Sequence, residues 1–249
     1  MRPPLRILLA LLMLAGVLSP RSEAAEPPPV PVEAFSEGAR KKVEALLREH
    51  TIMRSPRLEH PILNRPIHRF LLDRPDVGAA LARILKIGTY TVTRTGTDQF
   101  RASDPEGLEG QLEILYRDEA QRVYYAEGIA EGGLLRVRGK VVVFQQSQYS
   151  ATASGQERVA AQLTIYAKIE NPVLAFFVRI LSPLIGGMVD AKISKAQGVV
   201  RQVSEVMVQD PHATVARIAA SDALAPEDLA TLRALMRLSA PFPVEADLP

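Results

Sequence analysis

The chain has 249 residues with 30 basic and 28 acidic side chains and no cysteine. Disulfides, cysteine metal ligands and a thiol nucleophile are therefore excluded. The near balance of charge removes the strong positive field that non-specific nucleic-acid binding requires, so no nucleic-acid partner is expected.

The first element is a leader. Arg2 and Arg6 precede the apolar run ILLALLMLAGVL (Ile7–Leu18), and Ser22–Ala25 supplies small residues for cleavage after Ala24 or Ala25. This is the pattern of a secretory signal peptide over 1–25, too short to span a bilayer stably. No cysteine follows it, which excludes a lipid-anchored lipoprotein. Secretion across an inner membrane into a periplasmic, aqueous compartment is expected. Cleavage would remove Arg2, Arg6, Arg21 and Glu23, leaving the two signs equal.

Residues 26–60 read as a proline-rich linker, EPPPVPVEAF, followed by a helical lead that Ser36 caps and that runs to His50. Three prolines between Thr51 and Pro66 break any regular pattern, and no first strand is placed there. FLLDRPDVGAALARIL then gives a turn into a helix. Asp76 is its expected N-cap, and Val77, Leu81, Ile84 and Leu85 form its buried stripe.

From Thr89 the periodicity changes from 3.6 to 2. TYTVTRTG, LEGQLEILYRD, QRVYYAEG, LLRVRGKVVVFQQSQY and ERVAAQLTIYAKI read as half-buried strands. Leu108, Leu112, Ile114 and Tyr116 share one expected face. So do Leu135, Val137, Val141 and Val143, and likewise Val159, Ala161, Leu163, Ile165, Ala167 and Ile169. The connections DPEG, AEGG and ASGQ suit antiparallel hairpins, because parallel crossovers need intervening helices. Five to seven strands in a strongly curved sheet are predicted.

After Asn171–Pro172 the helical period returns for about 35 residues, ending near QDPH (Gln209–His212). Its first part, Val173–Val189, carries one charge, Arg179. A bilayer span, an interfacial helix and a buried helix are all open to such a segment. Arg179, Pro183 and the Gly186–Gly187 pair weigh against a span. Continuation into an amphipathic seam (Val189, Ile193, Ala196, Val200, Val203, Met207) favours burial inside the protein, with transient membrane contact as the interfacial alternative. A last helix is expected over Pro226–Leu238, before a disordered tail.

Chemistry-bearing motifs are sparse. His50, His60, His68 and His212 lack metal-ligand spacing, and no G-x-S-x-G, G-x-G-x-x-G or Walker loop occurs. Neither a catalytic residue, a metal nor a cofactor is assigned. The six tyrosines fall on predicted strands, where packing explains them, or where one or two hydroxyls reach a cavity to orient a ligand. Arg179 either sends its head to solvent or meets an anionic head group at a pocket mouth.

The order of helix, antiparallel strands and one long helix resembles the START-like, polyketide cyclase/dehydrase (SRPBCC) superfamily. FLLDRPDVGAALARIL and NPVLAFFVRILSPLIGGMVDAKISKAQGVVRQVSEVM carry the resemblance. It implies an α+β helix-grip fold over 61–210, in which a curved antiparallel sheet grips the long C-terminal helix. Residues 211–249 would then be a helical extension and tail. It further implies a hydrophobic cavity between sheet and helix. The candidate lining is Leu112, Ile114, Tyr116, Tyr125, Val141, Val143, Leu163, Ile165, Leu181, Leu184 and Met188, with Arg179 at a head group. Binding or carriage of a lipid or other hydrophobic small molecule is the expected function. A protein-interaction or envelope-assembly factor with a filled core, and a cyclase/dehydrase-type enzyme, are the alternatives.

Overall fold

The computed structural model describes residues 32–60, 65–105, 107–132, 135–151, 157–172, 175, 198–199, 201–221 and 223–237. Helix α1 (Glu37–Glu49) begins where Ser36 Oγ accepts the Ala39 N–H at 3.2 Å. The chain then forms the short strands β1 (Ile52–Arg54) and β2 (Arg57–His60). Both pair antiparallel with the last strand, so they are one edge strand interrupted at Ser55–Pro56. A first strand was not expected here. Proline cannot donate to a ladder, but an edge strand tolerates the break. The sheet therefore begins ahead of residue 61, inside the segment read above as lead.

Helices α2 (Arg65–Asp73) and α3 (Pro75–Ile84) follow. The expected N-cap Asp76 lies inside α3. Pro75 takes the first turn and Arg74 occupies the cap position, because proline suits the helix start and restricts the residue before it. The predicted stripe holds, with Val77, Leu81 and Leu85 buried and Ile84 half-buried.

Six strands complete the sheet: β3 (Thr91–Arg94), β4 (Gln99–Ser103), β5 (Leu108–Arg117), β6 (Gln121–Gly132), β7 (Leu135–Ala151) and β8 (Glu157–Ile169). Strand β4 was not singled out in the sequence. All pairings are antiparallel, in the order β1–β8–β7–β6–β5–β4–β3 with β2 beside β8. Then come α4 (201–209), α5 (Pro211–Ala219) and α6 (Pro226–Arg237). Asp210–Pro211, expected only to end a helix, also starts α5: the Asp210 carboxylate accepts the Ala213 N–H and Pro211 occupies the first turn. The class is α+β, a curved antiparallel sheet with helices. Apart from Ala175, the apolar stretch Val173–Val189 lies outside the described residues. Among the described residues no helix is long and apolar enough to cross a membrane.

Helices cover both faces of the sheet. Helix α1 packs Ala39, Val43 and Leu46 on Val123, Tyr125, Val142, Phe144 and Tyr166. On the opposite face α2 meets Arg122, Tyr124 and Tyr149. Helices α2 to α6 share a second core, which includes Ile67, Leu81, Met207, Ile218 and Leu232. Tyr166, on the face opposite Leu163 and Ile165, is thus buried under α1, and Thr164 on that same face is buried beside Ser55. Alternation shows which residues share a face but not whether a helix will cover it.

Small residues line up across four strands. Ala102, Gly110, Gly128 and Gly139 occupy consecutive positions of the cross-strand register. A Cβ on Gly128 would fall 2.4 Å from the Glu109 carbonyl oxygen, and one on Gly110 would fall 2.7 Å from that of Glu127. Only residues without a side chain allow so close an approach.

Candidate ligand-binding face

Cross-strand register determines what the α2 face presents. One row across it is Ala167, Val141, Ala126, Leu112 and Phe100, and the next is Ile165, Val143, Tyr124 and Ile114. Leu163 follows, paired with Gln145, which in turn pairs with Arg122. Ile114 and Leu163 are buried, whereas Leu112, Val141, Val143 and Ile165 are half-buried. Six of the candidate lining residues are therefore brought onto one face.

Two others go elsewhere. The β5–β6 register shifts between Ile114 and Tyr116, and this β-bulge turns Tyr116 to the α1 face, where its ring meets Phe35 at 5.9 Å. Tyr125 lies opposite Val142 on the same α1 face, beneath Lys42, and donates to Glu127 at 3.0 Å. Burial and the Glu127 carboxylate raise its pKa above the usual phenol range. Leu181, Leu184, Met188 and Arg179 lie outside the described residues.

Strand alternation was followed only as far as Val143 in β7, although it continues through the polar residues Gln145, Ser147 and Tyr149. These positions bound the apolar rows with a hydrogen-bonded border. Gln145 Nε2 donates to Ser147 Oγ at 3.4 Å, and Tyr149 is the next residue on this face. Tyr149 then meets Nδ1 of the buried His68 at 2.8 Å, from α2. Burial raises the Tyr149 pKa. Beside them Arg122, 3% exposed, donates from Nε and Nη2 to Asp73 at 2.6 and 3.1 Å. Its Nη1 is spent on the carbonyls of Asp118 and Gln121. The Tyr124 hydroxyl donates to the Leu72 carbonyl at 3.1 Å, and burial raises its pKa strongly. The signal available in the sequence was QQSQY, whose residues at spacing two continue the inward face of VVVF.

The α1 face carries a different concavity, of about 690 Å³, crossing β4 to β7. Its charges come in both signs, and Lys140 and Arg138 already pair with Glu170. It shows no preference for one kind of ligand charge.

No protein-family model matches the sequence, and no curated protein matches it. Solved structures do. They include a conserved protein from Geobacillus kaustophilus, 15% identical, with a TM-score of 0.44 over 62% of this chain and 97% of that one. Ara h 8.0201 is 12% identical, with a TM-score of 0.41 over 64% and 98%. Norcoclaurine synthase from Thalictrum flavum is 14% identical, with a TM-score of 0.38 over 75% and 95%. The fold class rests on this chain's own element order and register.

Proposed function

We propose that this chain is an exported protein that binds or carries a lipid or other hydrophobic small molecule against the α2 face of its sheet. The supporting observation is the register itself. Leu112, Ile114, Val141, Val143, Leu163 and Ile165 form a contiguous apolar wall bounded by a fixed polar border. Ligand sites commonly combine such a wall with a few oriented polar groups. Binding would proceed by desolvation of the ligand's apolar part. The expected leader and the balanced charge that its removal leaves favour carriage through an aqueous compartment. No catalytic role is assigned, because the buried acid–base candidates on this face are engaged with one another.

The test is native mass spectrometry of the protein before and after organic extraction, together with Val143→Trp. A bound mass that extraction removes, and loss of that mass in Val143→Trp with an unchanged melt, are the expected results. A bare protein mass, with Val143→Trp destabilised by about 1–3 kcal/mol through overpacking, would instead leave a filled core and an interaction module.

A further inference from the structure

We infer that the molecule taken up on the α2 face carries a neutral hydrogen-bonding group, a hydroxyl or a carbonyl, that meets the Gln145 carboxamide. The inference rests on the hydrophobic-ligand proposal above and specifies its chemistry. Strand β7 places Val141, Val143, Gln145, Ser147 and Tyr149 along one face, from the apolar wall to helix α2. Gln145 is bonded to Ser147, and Tyr149, two residues further on, is bonded to His68, so this polar row has a closed end and an open one. His68 is buried at the closed end. Gln145 is half-buried at the open end, beside Val143, Leu163 and Arg122.

A carboxamide offers two N–H donors and a carbonyl acceptor. Gln145 spends one N–H on Ser147, and among the described residues its other donor and its carbonyl oxygen take no partner. It can therefore both donate to and accept from a ligand while Ser147 holds its position. The adjacent cation is already paired with a carboxylate and offers an anion little. Arg122 is neutralised by Asp73, and its Nη1 goes to two backbone carbonyls. A carboxylate or phosphate delivered here would lose its hydration without gaining a counter-charge, which is costly in an apolar setting. A hydroxyl loses less and recovers it at Gln145.

The experiment is displacement of the neutral fluorophore Nile red from the purified protein by decane, 1-decanol and decanoate at neutral pH. These three share a chain length and differ only at the head. Decanol is expected to compete best, with decane and decanoate each about five- to tenfold weaker, the size of one net hydrogen bond. Gln145→Met, which keeps the side chain's length, should erase the advantage of decanol over decane and leave decane unchanged. The wild-type ranking needs no variant and so stands even if Gln145→Met folds poorly. Decanoate equal to or tighter than decanol would overturn the inference and point to a cation such as Arg179 at the head group. Decane matching decanol, or an advantage that survives Gln145→Met, would also overturn it while the hydrophobic-ligand proposal stands. If Nile red and all three compounds fail to bind, both proposals fall together.

Discussion

Arg122 sits inside the protein because Asp73 neutralises it and two carbonyls take its Nη1 donors. Removing only the acid leaves an uncompensated buried charge. Asp73→Ala should therefore cost about 3–5 kcal/mol, and the double change Asp73→Ala/Arg122→Met should recover much of it. Urea denaturation of the three proteins checks both statements. Asp118, next to this pair, gives a pH handle. Burial pushes its pKa up, but the Tyr116 hydroxyl and the backbone N–H groups of Ala120 and Gln121 outweigh burial, and the carboxyl titrates below the ordinary aspartate range. A depressed folded value means stabilisation that is present above the unfolded pKa and lost as pH falls through the folded one. Asp118→Asn should accordingly melt lower than wild type at neutral pH, and the gap should close in strong acid.

At the scale of elements, the close approach of β5 and β6 depends on glycine at defined register positions. At Gly128 a methyl group would meet backbone, which cannot swing aside as a side chain can. Gly128→Ala should destabilise by about 1–3 kcal/mol by overpacking. Gly78 in α3 provides the contrast, since a Cβ there meets nothing within 4 Å. Gly78→Ala should stabilise by about 0.5–1 kcal/mol, because glycine in a helix interior pays backbone entropy without a packing return. Opposite signs from one chemical change, read in thermal melts, separate a conformational role from a packing one. Chain patterning disclosed the alternating strands and α1, whose Ser36 cap and apolar spacing are local signals. It missed the β1–β2 edge because two short segments around a proline carry no period of their own, only pairing with β8.

Across the molecule, the two cores lie on different elements. One joins α1 to the sheet and the other joins α2 to α6. The bonds Arg122–Asp73, Tyr124–Leu72 and Tyr149–His68 tie the helical layer to the strands. Arg74 ties α3 to α6 by bonding both Asp76 and Asp228, and those bonds raise its pKa. If these ties make one cooperative unit, Leu232→Ala in α6 should cost about 2–5 kcal/mol and shift every signal together. The protein has no tryptophan, and five of its tyrosines lie on strands. Near-ultraviolet circular dichroism thus follows the sheet and far-ultraviolet ellipticity near 222 nm the helices. Separate midpoints would make the helical layer an independent unit.

The sequence alone determined what is local or additive. Its charge balance, the absence of thiols, the leader pattern, the change from helical to alternating period and the resulting α+β class follow from residue types and spacing within short windows. Membership of the apolar wall was also largely legible, because Leu112, Ile114, Val141, Val143, Leu163 and Ile165 share a face by alternation. Only the tertiary structure decided which face each stretch joins. The bulge after Ile114 sends Tyr116 the other way, and register across three strands aligns Gly110, Gly128 and Gly139. Helix α1 buries Val142 and Tyr166, and with them Tyr125, which was expected on the cavity side. Tertiary contact likewise joined His68 to Tyr149 across 81 residues of sequence. The reason is physical: period two records that neighbours oppose one another, but burial and hydrogen bonding depend on what another part of the chain brings to each side.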